Sequence, residues 1–369
     1  MDSARFVIVG AGLAGMATAY ALTRRGEPEV LILEKENLPG LHSSGRNAAM
    51  IRQVVSEKNI LKLAREGANF FNSQAEDWEK PVPFTKTGSI LVARGERWLK
   101  LCTEAEKAGE LGVELKIWKR EKVNTLVPCT EGGNFDSGVF CSGDGVTDTD
   151  RLINGFYQAA KARGAKLLTG CEVQHIEVKR NKIQGIRTSQ GIICAETVVN
   201  AAGPWAAAVG KMAGAVPIIL DPMRRHLFYT GALHWIDPRW PFVWDVGEDV
   251  YFRPESAGLL LSPCDETKAE PGIPPVDHQA QDLLADKLSR SFPRLLDIPI
   301  AKSWAGLRTF TPDRLFVIGW DPFVEGFYWV AGLGGHGVTT SPSAGNLAAG
   351  ELLSGKTAAD SPFSPSRFL

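Results

Sequence analysis

The sequence predicts an α/β fold in which a Rossmann-like dinucleotide-binding domain is interleaved with a second domain built on a mostly antiparallel β-sheet. A glycine-rich strand–loop–helix unit opens the chain, and strand–helix patterns return after interruptions. The interrupting segments contain short runs typical of antiparallel strands. We assign residues 1–80, 141–212 and 312–369 to the dinucleotide-binding domain, and residues 81–140 and 213–311 to the second, α+β domain, which would bind substrate.

The composition is that of a globular protein of about two domains, with 369 residues, 44% of them hydrophobic and 22% charged. The net charge of −1, from 41 basic and 42 acidic residues, gives no reason to expect nucleic acid as a partner. None of the six cysteines forms a Cys-x-x-Cys pair, so we expect no metal site. Scattered single cysteines suit a reducing compartment.

The longest apolar run, residues 6–22, is short for a membrane span and is interrupted by three glycines. Only Arg5 provides a positive side chain before it, which is weak for a signal peptide. We therefore interpret the run as a buried strand, loop and helix, and expect a cytoplasmic protein without a transmembrane segment.

The first unit carries the pattern G-x-G-x-x-G directly after the β-branched strand 6–9. Gly10 permits a tight turn, Gly12 lets the backbone approach a pyrophosphate, and Gly15 lets the helix contact the strand. The helix would end at Gly26, and a second strand, 30–33, leads to Glu34, which can bind ribose hydroxyls. This arrangement predicts a dinucleotide site but leaves NAD and FAD as alternatives.

The chain then departs from repeated strand–helix units. The small and polar segment "HSSGRNAAMIRQ", residues 42–53, would let a flat ring pass close to the backbone. Helices are predicted over 57–79, 96–109 and from Asp148 or Thr149 to Arg163. Strands are predicted in "KTGSILVARG", "ETVVNAAGPWA", "RRHLFYTG", "VYFRPESAGLLLSP" and "PIAKSWAGLRTFTPD", and one further helix in 277–292.

A second glycine loop, "GLGGHGVTTSPSAG" over residues 332–345, follows the apolar strand 327–331 near the C-terminus. Ser341 is a suitable N-cap, and Pro342 suits the first position of a helix. The pattern therefore predicts a helix that begins at Pro342.

These motifs together resemble the D-amino-acid oxidase superfamily of flavoproteins, the group that contains glycine oxidase and monomeric sarcosine oxidase. The resemblance rests on "VIVGAGLAGMATAYAL", Glu34, "HSSGRNAAMIR", "VVNAAGPWA", "YFRPESAGLLL", "GLRTFTPD" and "GLGGHGVTTSP", which occur in family order across almost the whole chain. It implies that FAD is the dinucleotide, with its pyrophosphate on the first glycine loop and its ring along the second. The implied FAD-binding residues are Gly10, Gly12, Leu13, Ala14, Gly15, Glu34, Lys35, Ser43, Ser44, Arg46, Asn47, Ala48, Ala49, Val173, Ala202, Gly203, Trp205, Gly306, Arg308, Gly332, Gly334, Gly335, His336, Gly337, Val338 and Thr339.

The resemblance also implies substrate residues, each with a plainer alternative. Arg308 would hold a substrate carboxylate through two parallel hydrogen bonds, or form a salt bridge instead. Arg52 would assist it, although it and Arg46 could equally support the flavin. Tyr251 would close the pocket or simply pack on its strand, and His336 would contact substrate or be held by backbone.

Two positions depart from sarcosine oxidase. That enzyme attaches its flavin through a cysteine, and the matching residue here is Gly306, so we expect FAD to be non-covalent. It also has a lysine after the glycine turn, where this chain has Thr339, so the carboxylate clamp must differ.

The resemblance implies oxidation of the C–N bond of a small amino acid, such as an N-substituted glycine or a D-amino acid, by hydride transfer to the flavin N5, with O2 or an electron carrier as acceptor. Arg308 and His336 are the candidate catalytic residues. One alternative is an FAD-dependent 2-hydroxy-acid dehydrogenase of the hydroxyglutarate type, with His336 as base. Another is a flavin-binding subunit without turnover.

Overall fold

The computed structural model describes residues 3–73 and 77–369. Its α-helices are α1 (Leu13–Arg24), α2 (Lys58–Asn72), α3 (Gly95–Glu110), α4 (Arg120–Leu126), α5 (Thr149–Lys161), α6 (Ala206–Ala213), α7 (Gln279–Ser291) and α8 (Gly337–Ser354). Its strands are β1 (Ser3–Val9), β2 (Val30–Leu33), β3 (Met50–Ile51), β4 (Phe84–Thr85), β5 (Ser89–Ala93), β6 (Leu115–Lys119), β7 (Ser137–Cys141), β8 (Gly145–Thr147), β9 (Lys166–Leu168), β10 (Val173–Lys179), β11 (Lys182–Thr188), β12 (Gly191–Asn200), β13 (Asp221–Tyr229), β14 (Phe242–Asp245), β15 (Val250–Glu255), β16 (Gly258–Ser262), β17 (Thr267–Lys268), β18 (Lys302–Phe310), β19 (Val317–Trp320) and β20 (Phe327–Ala331).

The first sheet has a parallel core in the order β9, β2, β1, β12 and β20. Strands β10 and β11 extend it as an antiparallel hairpin on β12, and β19 pairs antiparallel with β20. Because β1 and β20 run parallel within this sheet, the two glycine loops that follow them lie at the same edge. The carboxyl edge of the sheet is therefore where both loops can act on one ligand.

The second sheet has nine strands, in the order β17, β13, β16, β15, β14, β5, β7 and β6, with β18 paired to β13. Every pairing is antiparallel except that of β5 with β14. A small third sheet joins β3, β8 and β4. The strands of the first sheet fall within the ranges proposed for the dinucleotide-binding domain, and those of the second sheet fall within the ranges proposed for the other domain, except that β7 extends to residue 141. The division into two domains stays a prediction.

One predicted helix is wrong at its end. We expected a helix over residues 57–79, but α2 ends at Asn72, and residues 74–76 lie outside the described part of the chain. The Trp78 ring fills the space over Gly155 of α5, where a β-carbon would lie 2.1 Å from the ring. Asp77 accepts a hydrogen bond from the Tyr20 hydroxyl at 2.9 Å. Contacts with α1 and α5 therefore hold Asp77 and Trp78 outside the helix.

The start of the C-terminal helix was also predicted wrongly. Helix α8 begins at Gly337 with His336 at the N-cap, and Pro342 lies inside it rather than at its first position. The Thr340 N–H already donates to the His336 carbonyl at 2.9 Å. Gly334, with φ of +53°, completes the turn early enough for the helix to start before the proline.

Two glycines let α8 pack closely between α1 and α2. A β-carbon on Gly345 of α8 would lie 2.5 Å from the Ala17 carbonyl carbon of α1. A β-carbon on Gly67 of α2 would lie 1.9 Å from the Thr339 carbonyl oxygen of α8. Both distances are well below ordinary contact, so the three helices pack backbone to backbone at these points.

Across residues 3–73 and 77–369, no helix combines the length and the apolar character needed to cross a bilayer. In the same residues, no group of three or more His, Cys, Asp or Glu side chains is arranged to hold a metal.

The close packing of α8 on α1 predicts a cost for any side chain at Gly345. We expect Gly345→Ala to lower the free energy of unfolding by about 2–3 kcal/mol, because the helices must separate. The control is Gly109→Ala on α3, where a β-carbon meets nothing within 4 Å. That change should raise stability by up to about 1 kcal/mol, since alanine favours a helix. Urea unfolding followed by far-UV circular dichroism measures both, and a stabilised Gly345→Ala variant would contradict the packing argument.

Candidate cofactor and substrate site

The first glycine loop is too crowded for side chains. Gly10 has φ of +106°, and a β-carbon there would lie 2.5 Å from the Ala201 carbonyl oxygen. A β-carbon on Gly15 would lie 2.0 Å from the Gly10 carbonyl oxygen. The loop therefore presents bare backbone at the N-terminus of α1, where the helix dipole favours a phosphate.

The Glu34 carboxylate is fixed by backbone at the end of β2. One oxygen accepts from the Ala11 N–H at 2.9 Å, and the other accepts from the Glu36 N–H at 3.0 Å. Each oxygen keeps lone pairs that can accept from ribose hydroxyls. Lys35 lies over the Trp205 ring, with Nζ 3.5 Å from its centroid, and completes this end of the cavity.

The segment 43–49 is held in a defined conformation by two side chains. The Asn47 amide donates to the Ser44 carbonyl at 2.6 Å and accepts from the Ala49 N–H at 2.7 Å. Ala49 has φ of +53°, a conformation that this hydrogen bond supports. From β15, Arg253 Nε donates to the Ala48 carbonyl at 2.7 Å and joins the segment to the second sheet.

One cavity brings both glycine loops and segment 43–49 together. Nearly all of the residues that we predicted for the cofactor line it: Gly10, Gly12, Leu13, Ala14, Glu34, Lys35, Ser43, Ser44, Arg46, Asn47, Ala48, Ala49, Val173, Ala202, Gly203, Trp205, Gly306, Arg308, Gly332, Gly334, Gly335, Gly337 and Val338. Gly15, His336 and Thr339 do not line it, and neither do the predicted substrate residues Arg52 and Tyr251. Gly15 lies against the Gly10 carbonyl, and Thr339 faces β3.

The cavity fits a polar dinucleotide because it leaves buried polar atoms without partners. Ser43 Oγ, Thr309 Oγ1 and Arg225 Nη1 are buried and unpaired among the described residues, and all three side chains belong to the cavity lining. Buried polar groups normally have hydrogen-bond partners. A cofactor with phosphate and ring oxygens can supply the missing acceptors.

The second sheet turns a cationic face toward this cavity. In the β13–β18 pair, Arg225 lies opposite Gly306 and Met223 lies opposite Arg308. Opposed residues and their second neighbours point to the same face, so Arg225 and Arg308 are diagonal neighbours. Gly306 leaves the space beside them open to the backbone of segment 43–49, since a β-carbon there would lie 2.1 Å from the Arg46 carbonyl oxygen.

Arg308 is a cation without a protein partner. Its guanidinium forms no hydrogen bond or ion pair within residues 3–73 and 77–369, so the alternative of a salt bridge is not observed there. Burial, and then the charge of Arg225, lower the pKa of Arg308. An arginine nevertheless stays protonated in proteins. Its Nη1 lies 3.1 Å from where a β-carbon on Gly335 would stand, so the side chain lies against the second glycine loop.

Arg52 is held by contacts with β14 and α8. Its guanidinium carbon lies 4.2 Å from the centroid of the Trp244 ring, a cation–π contact. Thr339 Oγ1 accepts from the Arg52 N–H at 3.0 Å and so ties β3 to the first turn of α8. Where sarcosine oxidase is expected to have a lysine, this chain therefore has a threonine that positions the backbone of an arginine.

His336 lies near Arg52 and Arg308, and Tyr251 lies near Arg225 and Arg308. Burial, followed by the charges of Arg52 and Arg308, lowers the pKa of His336 to about 3. The imidazole is therefore neutral at physiological pH and is a weak base. Tyr251 is fully buried, and its hydroxyl has no partner among the described residues.

Sequence reasoning missed Arg225, Arg253 and Trp244. Arg225, His226, Leu227 and Phe228 of β13 are all buried, so no alternating pattern in the sequence distinguishes Arg225. The roles of Arg253 and Trp244 depend on contacts with residues about 200 positions away, namely Ala48 and Arg52. No local sequence pattern predicts contacts between residues so far apart in the chain.

Comparison with known proteins agrees with this geometry. Residues 5–351 match the family described as FAD dependent oxidoreductase, DAO. Mitochondrial dimethylglycine dehydrogenase of Mus musculus is 26% identical over 375 residues, which cover 96% of this chain and 43% of that protein. The mitochondrial pyruvate dehydrogenase phosphatase regulatory subunit of Mus musculus is 24% identical over 368 residues, which cover 95% of this chain and 42% of that protein. The chain thus spans less than half the length of these curated relatives.

Solved structures share the whole architecture. The L-proline dehydrogenase from P. horikoshii superposes with a TM-score of 0.90 at 25% identity, covering 100% of this chain and 98% of that one. The α/β fold class and the FAD cofactor that we predicted are confirmed by these likenesses. The chain belongs to the DAO family of FAD dependent oxidoreductases.

Proposed function

We propose that the protein oxidises the C–N bond of a small amino acid or N-substituted glycine to an imine, which water then hydrolyses. The observation that carries the proposal is the Arg308 guanidinium, which has no partner among the described residues and lies in the cofactor cavity against the second glycine loop. A guanidinium suits a carboxylate because it offers two parallel hydrogen bonds. Dimethylglycine dehydrogenase and L-proline dehydrogenase, by their names, act on amino acids whose amine is alkylated.

In this proposal the chain acts by positioning the substrate. Arg308 fixes the carboxylate and so holds the adjacent Cα–H and amine at the side of the cavity formed by residues 332–337. Bound FAD supplies the hydride acceptor. The N-terminus of α8 and the backbone N–H groups of the glycine loop provide partial positive charge where negative charge develops.

The site needs no strong base for this reaction. The amine must lose its proton before hydride leaves, and the cations of Arg52 and Arg308 favour its neutral form. Neutral His336 can accept a hydrogen bond but holds a proton weakly, because its pKa is lowered to about 3. The same observation weighs against a 2-hydroxy-acid dehydrogenase, in which His336 would have to accept the hydroxyl proton.

A flavin-binding role without turnover remains the second candidate, because the regulatory subunit named above is also a relative. An anaerobic visible spectrum separates the candidates. Bleaching of the yellow bands by N-methyl or D-amino acids supports amine oxidation. Bleaching only by 2-hydroxy acids supports the dehydrogenase alternative, and flavin that no substrate bleaches supports the non-catalytic role.

Replacing Arg308 tests the carboxylate clamp. We expect Arg308→Ala to raise KM for a carboxylate substrate by about 100-fold, because a charged hydrogen-bonded pair is lost. Arg308→Lys should retain part of the affinity, because lysine keeps the positive charge but lacks the two parallel N–H donors of the guanidinium. Steady-state kinetics with an N-alkyl amino acid gives both values, and an unchanged KM in the alanine variant would refute the role of Arg308.

Replacing His336 tests whether a base is required. We expect His336→Gln to change the rate of anaerobic flavin reduction less than about tenfold and to leave its pH profile in place. A general base would contribute about 10²–10⁴-fold. Stopped-flow reduction between pH 6 and 10 measures this. A loss of that size, together with loss of a pH step near neutrality, would favour the hydroxy-acid alternative.

The attachment of FAD can be tested at Gly306, where no thiol is available. We expect acid precipitation to release all flavin into the supernatant. Gly306→Ala should weaken FAD binding at least about tenfold, since its β-carbon would lie 2.1 Å from the Arg46 carbonyl and push segment 43–49 away. Gly272→Ala, where a β-carbon meets nothing within 4 Å, is the control. Flavin retained on the precipitated protein would show a covalent link and contradict the prediction.

A further inference from the structure

The substrate end of the site holds more positive charge and more hydrogen-bond donors than one carboxylate requires. Arg308 and Arg52 are two guanidiniums without an ion pair among the described residues, and each carries five N–H donors. Arg225 Nη1 adds a buried donor beside Arg308. A carboxylate offers about four lone-pair positions, which one guanidinium and two further donors would fill.

Two further buried donors stand on the paired strands β14 and β15. Trp244 and Tyr251 lie opposite each other in the β14–β15 pair, with their rings 5.0 Å apart. Trp244 Nε1 and Tyr251 Oη are both buried without a partner in residues 3–73 and 77–369. The Arg52 guanidinium lies over this same Trp244 ring. Arg52 and Trp244 Nε1 therefore form a second group, on other segments of the chain than Arg225 and Arg308. Tyr251 lies between the two groups, because its ring packs on Trp244 and it also lies near Arg225 and Arg308.

The two groups face one space. Leu227, two residues from Arg225 on β13, packs in one cluster with Tyr251 and Trp244, so these side chains lie on the face of the second sheet that Arg225 and Arg308 share. Arg308 has Arg225 as its strongest charged neighbour, whereas Arg52 has Asp144. Asp144 is itself engaged by Gln53 and Ser89 and does not bond to Arg52. The two guanidiniums are thus held by different parts of the chain.

We propose that the substrate carries two acidic groups: an α-carboxylate held by Arg308 with Arg225, and a second anionic group held by Arg52 with Trp244 Nε1, with the Tyr251 hydroxyl between the two. This inference rests on the proposed function and narrows its substrate class to dianionic amino acids, such as an amine that bears two carboxymethyl groups or an N-alkyl acidic amino acid. A second carboxylate supplies the acceptors that the buried donors lack and offsets the second cation.

Binding of redox-inert acids to the FAD-loaded protein tests the inference without turnover. Titrations of acetate, propionate, malonate, succinate and glutarate at constant ionic strength and pH 8 are followed by the shift of the flavin absorbance bands. We expect the best dicarboxylate to bind at least about tenfold more tightly than the best monocarboxylate. Equal or weaker binding of the dicarboxylates would overturn the inference.

Variants assign the second anion to Arg52. Arg52→Met should abolish the preference for dicarboxylates and leave monocarboxylate affinity within about twofold, whereas Arg308→Gln should weaken both classes. Arg52→Lys should retain most of the preference for dicarboxylates. It tests the same position with the charge kept, so the inference can still be checked if the methionine variant does not fold. Arg239→Gln, at an arginine whose side chain is 87% exposed, is the matched control. An equal loss of both classes in Arg52→Met would mean that the two arginines clamp a single carboxylate, which overturns the inference.

Anaerobic bleaching by sarcosine and iminodiacetate separates this inference from the proposed function. Faster bleaching by iminodiacetate than by sarcosine supports both the dianionic substrate and the proposed amine oxidation. Faster bleaching by sarcosine overturns the dianionic substrate and leaves amine oxidation in place. Tight dicarboxylate binding without bleaching by any amine keeps the second anionic site and refutes the proposed oxidation.

Discussion

The close approach of α8 to α1 and α2 is the constraint on which the site depends. Gly345 and Gly67 remove the side chains that would keep these helices apart. The first glycine loop connects β1 to α1, and the second connects β20 to α8. Both strands belong to the parallel part of one sheet. When α1 and α8 pack backbone to backbone, their N-termini and the two loops meet at one cavity. Two loops about three hundred residues apart in sequence can therefore bind one long cofactor.

The second constraint is the register of β13 on β18. Because side chains alternate between the two faces of a strand, a slip of one residue would turn Arg225 and Arg308 away from the cavity. The register is held on the other face by His226, which is fully buried and whose Nδ1 lies 2.7 Å from Asp265 Oδ2. Its Nε2 accepts from the Asp277 N–H at 2.9 Å. Buried polar contacts behind the sheet thus fix which residues face the cavity.

Sequence patterns predicted the parts of the site that depend on local geometry. The turn at Gly10, the helix after it and the acid at Glu34 all follow from residues within one strand–loop–helix–strand unit. The start of α8 was missed because Pro342 usually marks the first turn of a helix, and here Gly334 turns the chain earlier. The end of α2 was missed because Trp78 packs on Gly155, a contact between distant segments. The cationic face was only partly foreseen, since Arg225 becomes significant only when the β13–β18 register is known.

In the proposed reaction, the cations favour an amine over an alcohol as the group that is oxidised. An alkylammonium has a pKa of roughly 10, so positive neighbours need to lower it by only a few units to make the neutral amine abundant at pH 7–8. An alcohol has a pKa near that of water, roughly 16, and the same neighbours would leave it protonated. An alcohol therefore needs a base that accepts its proton as hydride departs. His336 is poorly suited to that role, because the burial and the two arginines that would bind the substrate also lower its pKa to about 3. Charge that binds an anionic substrate thus also selects, among oxidisable groups, the one that can lose its proton to water beforehand.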